Sequence, residues 1–234
     1  MGLTGIIISA TIQLLPIKSS LISQKTIKAD CIEEACEVFE INSDATYSVA
    51  WIDCLSKGKS LGRSVIMLGE HASQGGLDID IRQKVSVPFS TPSALLNSLT
   101  VKAFNAAYWH KSRQNLSQTV GLMPYFYPLD TVGEWNRLYG KKGFLQFQCV
   151  VPKLDGVANM RKLLTEISNS GKGSFLAVLK QFGTANENLL SFPTEGYTLA
   201  LDFKVSETAI KTVRKLEDMV VDMGGRLYLT KDAV

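Results

Sequence analysis

Residues 143–230 carry the pattern that most narrows what this chain can become: two amphipathic helical stripes set among four short strand-like runs. In DGVANMRKLLTEISNSG (155–171), Val157, Met160, Leu163, Leu164 and Ile167 recur at helical spacing, and Gly171 closes the run. The second stripe is Ile210, Val213, Leu216, Met219 and Val220. It follows Ser206, a residue type suited to an N-cap, and stops before Gly224. Around these helices GFLQFQCVVP (143–152), SFLAVLKQFG (174–183), GYTLALDFKV (196–205) and RLYLT (226–230) read as strands. The order β-α-β-β-α-β is the split unit of ferredoxin-like folds.

The first half repeats part of that order more loosely. A strand near 20–28 precedes a helix from Asp30, with Glu33 placed as in a capping box. TYSVAWIDC (46–54) and RSVIMLGEH (63–71) read as strands joined by the basic turn LSKGKSLG, and 73–94 reads as loop. Residues 92–111 are helical by pattern, and 121–140 is aromatic, proline-punctuated and irregular, the composition of a segment that lines something. The whole predicts one α+β body, with a large mainly antiparallel sheet and helices on one face.

Composition narrows the function classes. With 234 residues, 45% apolar and 20% charged, the chain is an ordinary globular protein, and a net charge of +3 gives no reason to expect nucleic acid. Cys31, Cys36, Cys54 and Cys149 lack metal or redox spacing and predict buried free thiols. His71 and His110 are too few for a histidine-based metal site without remote carboxylates, so no metal is expected. MGLTGIIISATIQLLPI has neither a basic n-region nor a cleavage site and is too short to span a bilayer. Its run from Ile6 to Ile12 predicts a buried strand. A chain that opens inside a strand is expected to be a piece of something longer. A cytoplasmic location is expected, with membrane association or periplasmic exposure entering only through the substrate.

Strand alternation then sorts the side chains. Leu145, Phe147, Cys149, Phe175, Ala177, Leu179, Tyr197, Leu199, Leu201, Phe203, Leu227 and Leu229 are expected beneath the helices. The opposite face collects Gln146, Gln148, Lys180, Thr198, Ala200 and Tyr228. Antiparallel sheets often leave one face to solvent. Paired glutamines and a lone lysine among Leu176, Val178 and Phe182 are instead the mixture of a binding site. Two other signals fail. KGKS (57–60) lacks the upstream glycine of a phosphate loop, since position 53 is Asp. KGFLQF (142–147) has Leu145 and Gln146 where an RNA-binding strand needs a small residue and an aromatic.

Longer strings carry a family likeness. MGLTGIIISATIQLLPI, YSVAWIDC, LGRSVIMLGEHA, FYPLDTVGEWNRLYG, GFLQFQCVVP, GSFLAVLKQFG, LSFP and GGRLYLTKDA resemble the flavin-dependent oxidases of the vanillyl-alcohol oxidase superfamily. Within it the resemblance is greatest to the decaprenylphosphoryl-ribose 2'-oxidase subfamily. The resemblance implies that 1–18 is the last strand of an FAD-binding domain and that 19–234 is the substrate-binding domain. FAD would be held mainly by the former. It implies that Gln146, Gln148 and Lys180 look towards substrate and that Trp51 and Phe126 are pocket aromatics. Tyr228 would lie beside the flavin, and Lys231 near both the flavin and the reacting hydroxyl, as the catalytic group. Thr198 and Ala200 stand where close relatives carry Asn and Cys, and Phe126 where a tyrosine is found, which puts the substrate's identity in question. The implied reaction is hydride transfer from a sugar carbinol, such as a polyprenylphosphoryl-pentose or an aldonolactone, to FAD. An epimerisation-completing short-chain dehydrogenase is the implied partner, and self-association through an uncovered face is expected of the chain alone. A non-catalytic ferredoxin-like ligand-binding or regulatory module is the competing class.

Overall fold

The two halves of the chain build the same unit twice. The computed structural model describes residues 5–81, 85–92, 96–188 and 190–232. The first half contains β1 (Leu21–Ala29), α1 (Ile32–Ile41), β2 (Tyr47–Ile52), β3 (Ser64–His71), the two-residue β4 (Val85–Ser86), α2 (Ser98–Lys111) and β5 (Leu116–Gly121). A short α3 (Leu122–Phe126) and β6 (Val132–Gly133) lead into the second half. That half contains β7 (Phe144–Pro152), α4 (Gly156–Ser170), β8 (Ala177–Phe182), β9 (Gly196–Lys204), α5 (Glu207–Asp222) and β10 (Arg226–Leu227).

One eight-stranded antiparallel sheet joins the halves in the order β10-β7-β9-β8-β2-β3-β1-β5. From either edge inwards, a half contributes its fourth, first, third and second strand of this sheet. The two second strands, β2 and β8, meet at the centre through the pairs Ala50–Leu179 and Trp51–Val178. A small parallel pair, β4 with β6, ties the 85–92 loop to the 121–140 segment.

Burial follows the helical stripes. Met160, Leu163, Leu164 and Ile167 of α4 and Val213, Leu216 and Val220 of α5 pack with Cys149, Leu179, Leu199 and Phe203 of the sheet. Phe39 and Cys36 of α1 extend the same core over Ala50, Ile52 and Ile66. The Ser206 hydroxyl accepts from the Ala209 amide at 3.1 Å, a cap of about 1 kcal/mol. Gly171 and Gly224 end α4 and follow α5 at positive φ, where a glycine carries no Cβ penalty. Cys36, Cys54 and Cys149 are buried free thiols and Cys31 is half-buried.

Several expectations change. Helices cover one face only for α1, α4 and α5. The α2 helix lies on the other face, where its Trp109 packs with Trp51 and Val65, and α3 follows it there with Tyr125 over Gly69. The helix expected from Asp30 starts at Ile32, and Cys31 caps it without a side-chain bond. Glu34, not Glu33, reaches back to the Asp30 amide, at 2.7 Å, while Glu33 pairs with Arg161. The run Ile6–Ile12 is neither a strand nor buried, and Ile6 is 92% exposed. A strand needs a neighbouring ladder to satisfy its amides and carbonyls, and among the described residues none flanks this segment. Of the loop and helix expected across 73–111, residues 82–84 and 93–95 lie outside the described residues.

Candidate functional site

Register places the polar side chains. Directly paired residues of antiparallel strands point to the same face. Gln146 pairs with Asp202, Gln148 with Ala200, and Lys180 with Thr198; Val178 pairs with both Ala200 and Trp51. All of these therefore share one face, and Cys149, Leu199, Leu179 and Ala50 occupy the other, beneath α1, α4 and α5.

The C-terminal segment adds two more groups. The expected strand 226–230 ends at Leu227, although the Tyr228 amide still donates to the Gln148 carbonyl at 2.9 Å. A turn follows, in which the Lys231 amide donates to the Tyr228 carbonyl, so Leu229 is 66% exposed instead of lying under the helices. The turn carries Lys231 back over the face, where its Nζ donates to Gln146 Oε1 at 3.0 Å. Tyr228 stacks on Phe192, with ring centroids 4.7 Å apart.

Behind Gln146 lies a buried acid. Gln146 Nε2 donates to Asp202 Oδ1 at 3.2 Å, and the Tyr139 hydroxyl donates to Asp202 Oδ2 at 3.1 Å. That hydroxyl in turn meets Ser174 Oγ at 2.9 Å. Asp202 is only 7% exposed, and burial pushes its carboxyl up to about 6, against the pull of Gln146, Tyr139 and the Lys231 ammonium. Burial also raises the Tyr139 phenol, with the Asp202 charge adding to the effect.

Beside this polar cluster the same face opens into a cleft of about 1090 Å³ at the β2–β8 seam. Trp51, Phe104, Tyr108, Phe175, Val178 and Phe126 line it. Trp51 is fixed by a 3.0 Å bond from Nε1 to the Phe175 carbonyl and by the Tyr108 ring 4.6 Å away. Phe175, expected beneath the helices, precedes the first residue of β8 and escapes its alternation; its ring packs on Phe104 and Tyr139. Phe126 sits edge-on to Tyr47 at 4.8 Å. Lys180 stands at the border between cleft and cluster. Burial first, and the Lys231 ammonium second, hold its ammonium below the usual lysine range, and among the described residues it has no carboxylate partner.

Thr198 belongs to this face by register but is 1% exposed. Its hydroxyl donates to the Cys149 carbonyl at 2.8 Å and receives the Gln148 amide at 3.4 Å, so it orients Gln148 from below. Ala200, half-buried beside Gln148, offers no polar atom of its own.

A flavin would meet this chain unevenly. The glycine-rich turn 57–62 is a short basic loop, exposed over residues 57–60 and packed on the core at Gly62, where a Cβ would meet the Leu164 side chain at 2.8 Å. The open face carries Lys231 and, stacked on Phe192, Tyr228 at its edge, where a planar ring would meet them.

No family profile matches the chain. It is 35% identical over 243 aligned residues to decaprenylphosphoryl-beta-D-ribose oxidase of Mycolicibacterium smegmatis, across 99% of this chain and 53% of that protein. The chain is a relative of that oxidase. It thus spans about half the length of the oxidase. It is also 24% identical to the "uncharacterized protein in mprA 5'region" of Streptomyces coelicolor, across 100% of this chain and 68% of that one. Berberine bridge enzyme from Eschscholzia californica overlays with a TM-score of 0.40 at 14% identity, over 91% of this chain and 41% of the enzyme, too distant to carry an argument.

Of the side chains that the family resemblance singled out, Gln146, Gln148, Lys180, Tyr228 and Lys231 gather on one face, and Trp51 and Phe126 line the adjoining cleft. Asp202 and Tyr139 were not singled out. Asp202 alternates with Thr198 and Ala200 and was within reach of the strand pattern. Tyr139 comes from a 3₁₀ turn (Trp135–Tyr139), to which no periodicity points. No helix among the described residues is long and apolar enough to cross a membrane.

Proposed function

We propose that this chain is the substrate-binding part of an FAD-dependent oxidoreductase that oxidises a sugar hydroxyl. Residues 19–234 would form that part, and 1–18, which form no strand among the described residues, would become the last strand of an FAD-binding domain only on pairing with it. The observation that carries the reading is the convergence of Lys231, Gln146, Gln148 and Lys180 beside an aromatic-lined cleft. A cleft of this composition suits an amphiphile such as a polyprenylphosphoryl-pentose. The aromatic walls bury an apolar tail, while amides and ammonium groups take up hydroxyls and anionic oxygens. The free Lys180 ammonium, already disfavoured by its apolar surroundings, gains most from an anionic oxygen. Lys231, held by Gln146, is placed to donate to the reacting hydroxyl oxygen as an ammonium, and only as the neutral amine would it take up the hydroxyl proton when the hydride leaves. Tyr228 and Lys231 would border the flavin ring, which when bound supplies the hydride acceptor. A short-chain dehydrogenase that reduces the resulting ketone is the expected partner. The expected location is cytoplasmic, or a membrane or periplasmic surface if the substrate is lipid-linked.

The test has two arms. Purified alone, the chain should be colourless, should turn over no sugar, and should self-associate through its exposed N-terminal run; stoichiometric FAD on it would misplace the cofactor site. In the polypeptide that unites it with an FAD-binding domain, Lys231→Ala should slow flavin reduction by about 10²-fold or more, and Lys180→Ala should chiefly weaken substrate binding. Rapid-mixing absorbance reads both. Unchanged reduction in Lys231→Ala would remove that residue from the chemistry, and ligand binding with no flavin reduction would favour a non-catalytic module.

A further inference from the structure

The Gln146 carboxamide has two different ends, and the structure uses both. Its nitrogen donates to Asp202 and its oxygen accepts from Lys231. Turned over, the oxygen would face the Asp202 carboxylate and the NH2 group would face the Lys231 ammonium, two repulsions in a half-buried place. The orientation of the amide is therefore set by the charges on either side of it.

We propose that Asp202 is a positioning residue: through the Gln146 carboxamide its carboxylate fixes the Lys231 ammonium on the site face, and protonation of Asp202 releases it. The role of Lys231 in this statement rests on the functional reading above. The groups around Asp202 make the switch specific. Tyr139 reaches it from the 3₁₀ turn, with Ser174 behind; Gln146 comes from β7; Lys231 and Asp232 come from the C-terminal segment. While Asp202 is ionised, both Tyr139 and Gln146 donate to it and the amide has one orientation. Once protonated, Asp202 carries an O–H that can donate to Gln146 Oε1. The amide is then free to turn, and in the turned orientation its NH2 faces Lys231 and displaces the ammonium. Asp232 anchors the same corner from the other side, by accepting from the Gln146 backbone amide at 2.8 Å. Burial of the Asp202 carboxyl, to about 6, sets Lys231 engaged above that pH and released below it.

The experiment is a pH titration of the chain by NMR, following the Asp202 carboxyl carbon and the Gln146 side-chain amide together. The expected result is one shared midpoint near 6, with the Gln146 signals no longer titrating over that range in Asp202→Asn. Different midpoints in the wild type, or an unchanged Gln146 titration in Asp202→Asn, would overturn the proposal. The wild-type comparison is decisive even if the variant does not fold. In the flavin-loaded protein, the reduction rate should fall about tenfold per pH unit below the midpoint, and Asp202→Asn should lose that acid limb. Coupled titration without sugar oxidation would refute the functional reading and leave Asp202 as the group that positions Lys231. Oxidation without coupled titration would remove Asp202 and leave the functional reading intact.

Discussion

Asp202→Asn should abolish a pH dependence of folding stability that runs opposite to that of most carboxylates. The native carboxyl is buried beneath Gln146 and Tyr139 and is pushed up from 3.8 to about 6. At 1.36 kcal/mol per pKa unit, the interval corresponds to about 3 kcal/mol of tighter proton binding by the folded chain. Because the native value is raised, the folded state holds a proton between about pH 4 and about pH 6 that the unfolded state has already released. Unfolding there releases protons, so the contribution of Asp202 to stability is greatest below its unfolded value. It declines as pH rises and is gone above the native value. About 2 kcal/mol of the change falls between about pH 4 and about pH 7. The asparagine variant keeps the shape and loses the titration, so its stability relative to the wild type should rise by that amount over the same range. Glu33 and Glu40, which Arg161 and Lys153 hold below the ordinary range, change stability in the opposite sense but are common to both proteins and cancel in the difference. Urea denaturation at several pH values, with equal m-values for the two chains, measures it. A wild-type-minus-variant difference that stays flat from about pH 4 to about pH 7 would show that Asp202 is not a desolvated acid.

Tyr139→Phe should cost about 1–3 kcal/mol in urea denaturation, more above pH 6 than below, because it strips a donor from the buried Asp202 carboxylate; equal losses at both pH values would contradict that account. Gly69→Ala should cost about 1–3 kcal/mol and unseat Tyr125, since a Cβ there meets the phenol ring at 2.5 Å; an unchanged Tyr125 ring environment by NMR would refute the packing argument.

Local rules made the second half of the chain readable. The stripes of α4 and α5, the Ser206 cap and the glycines at their ends are set by contacts within a few residues, and the fold keeps them. Alternation in β7, β8 and β9 likewise put Gln146, Gln148 and Lys180 on one face, because a period of two leaves only two choices. Where a strand has not begun or has already ended, alternation says nothing, which is why Phe175 and Leu229 are misplaced by it. The course of α2 was less legible for a different reason. Its buried residues Val101, Asn105 and Trp109 make a narrow seam on a helix that is otherwise mixed around its circumference. Asn105, which donates to Asp53 at 2.7 Å, looks polar in the sequence although it is fully buried. Nothing in such a pattern states which face of a sheet the helix will choose.

The choice that α2 makes explains why a sheet built from two similar halves leaves a polar face open on only one of them. In the first half, Val65, Met67 and Gly69 of β3 and Thr26 and Lys28 of β1 occupy the face that Gln146, Gln148 and Lys180 occupy in the second. There Trp109 of α2 packs on Val65, Lys28 lies 4.1 Å over the Trp109 ring, and Tyr125 of α3 fills the gap left by Gly69. The Tyr125 hydroxyl donates to the Met67 and Tyr47 carbonyls at 3.2 and 3.3 Å, closing that half further. Among the described residues no comparable helix crosses the second half, where the connection that runs past Trp135 and Tyr139 leaves the Tyr139 hydroxyl under Asp202 and the amides above it uncovered. The seam between the halves then becomes the cleft, walled by α2 and α3 on one side and open to Lys180 on the other. One unit thus supplies the wall and the other the floor, and the polar chemistry collects where the wall stops.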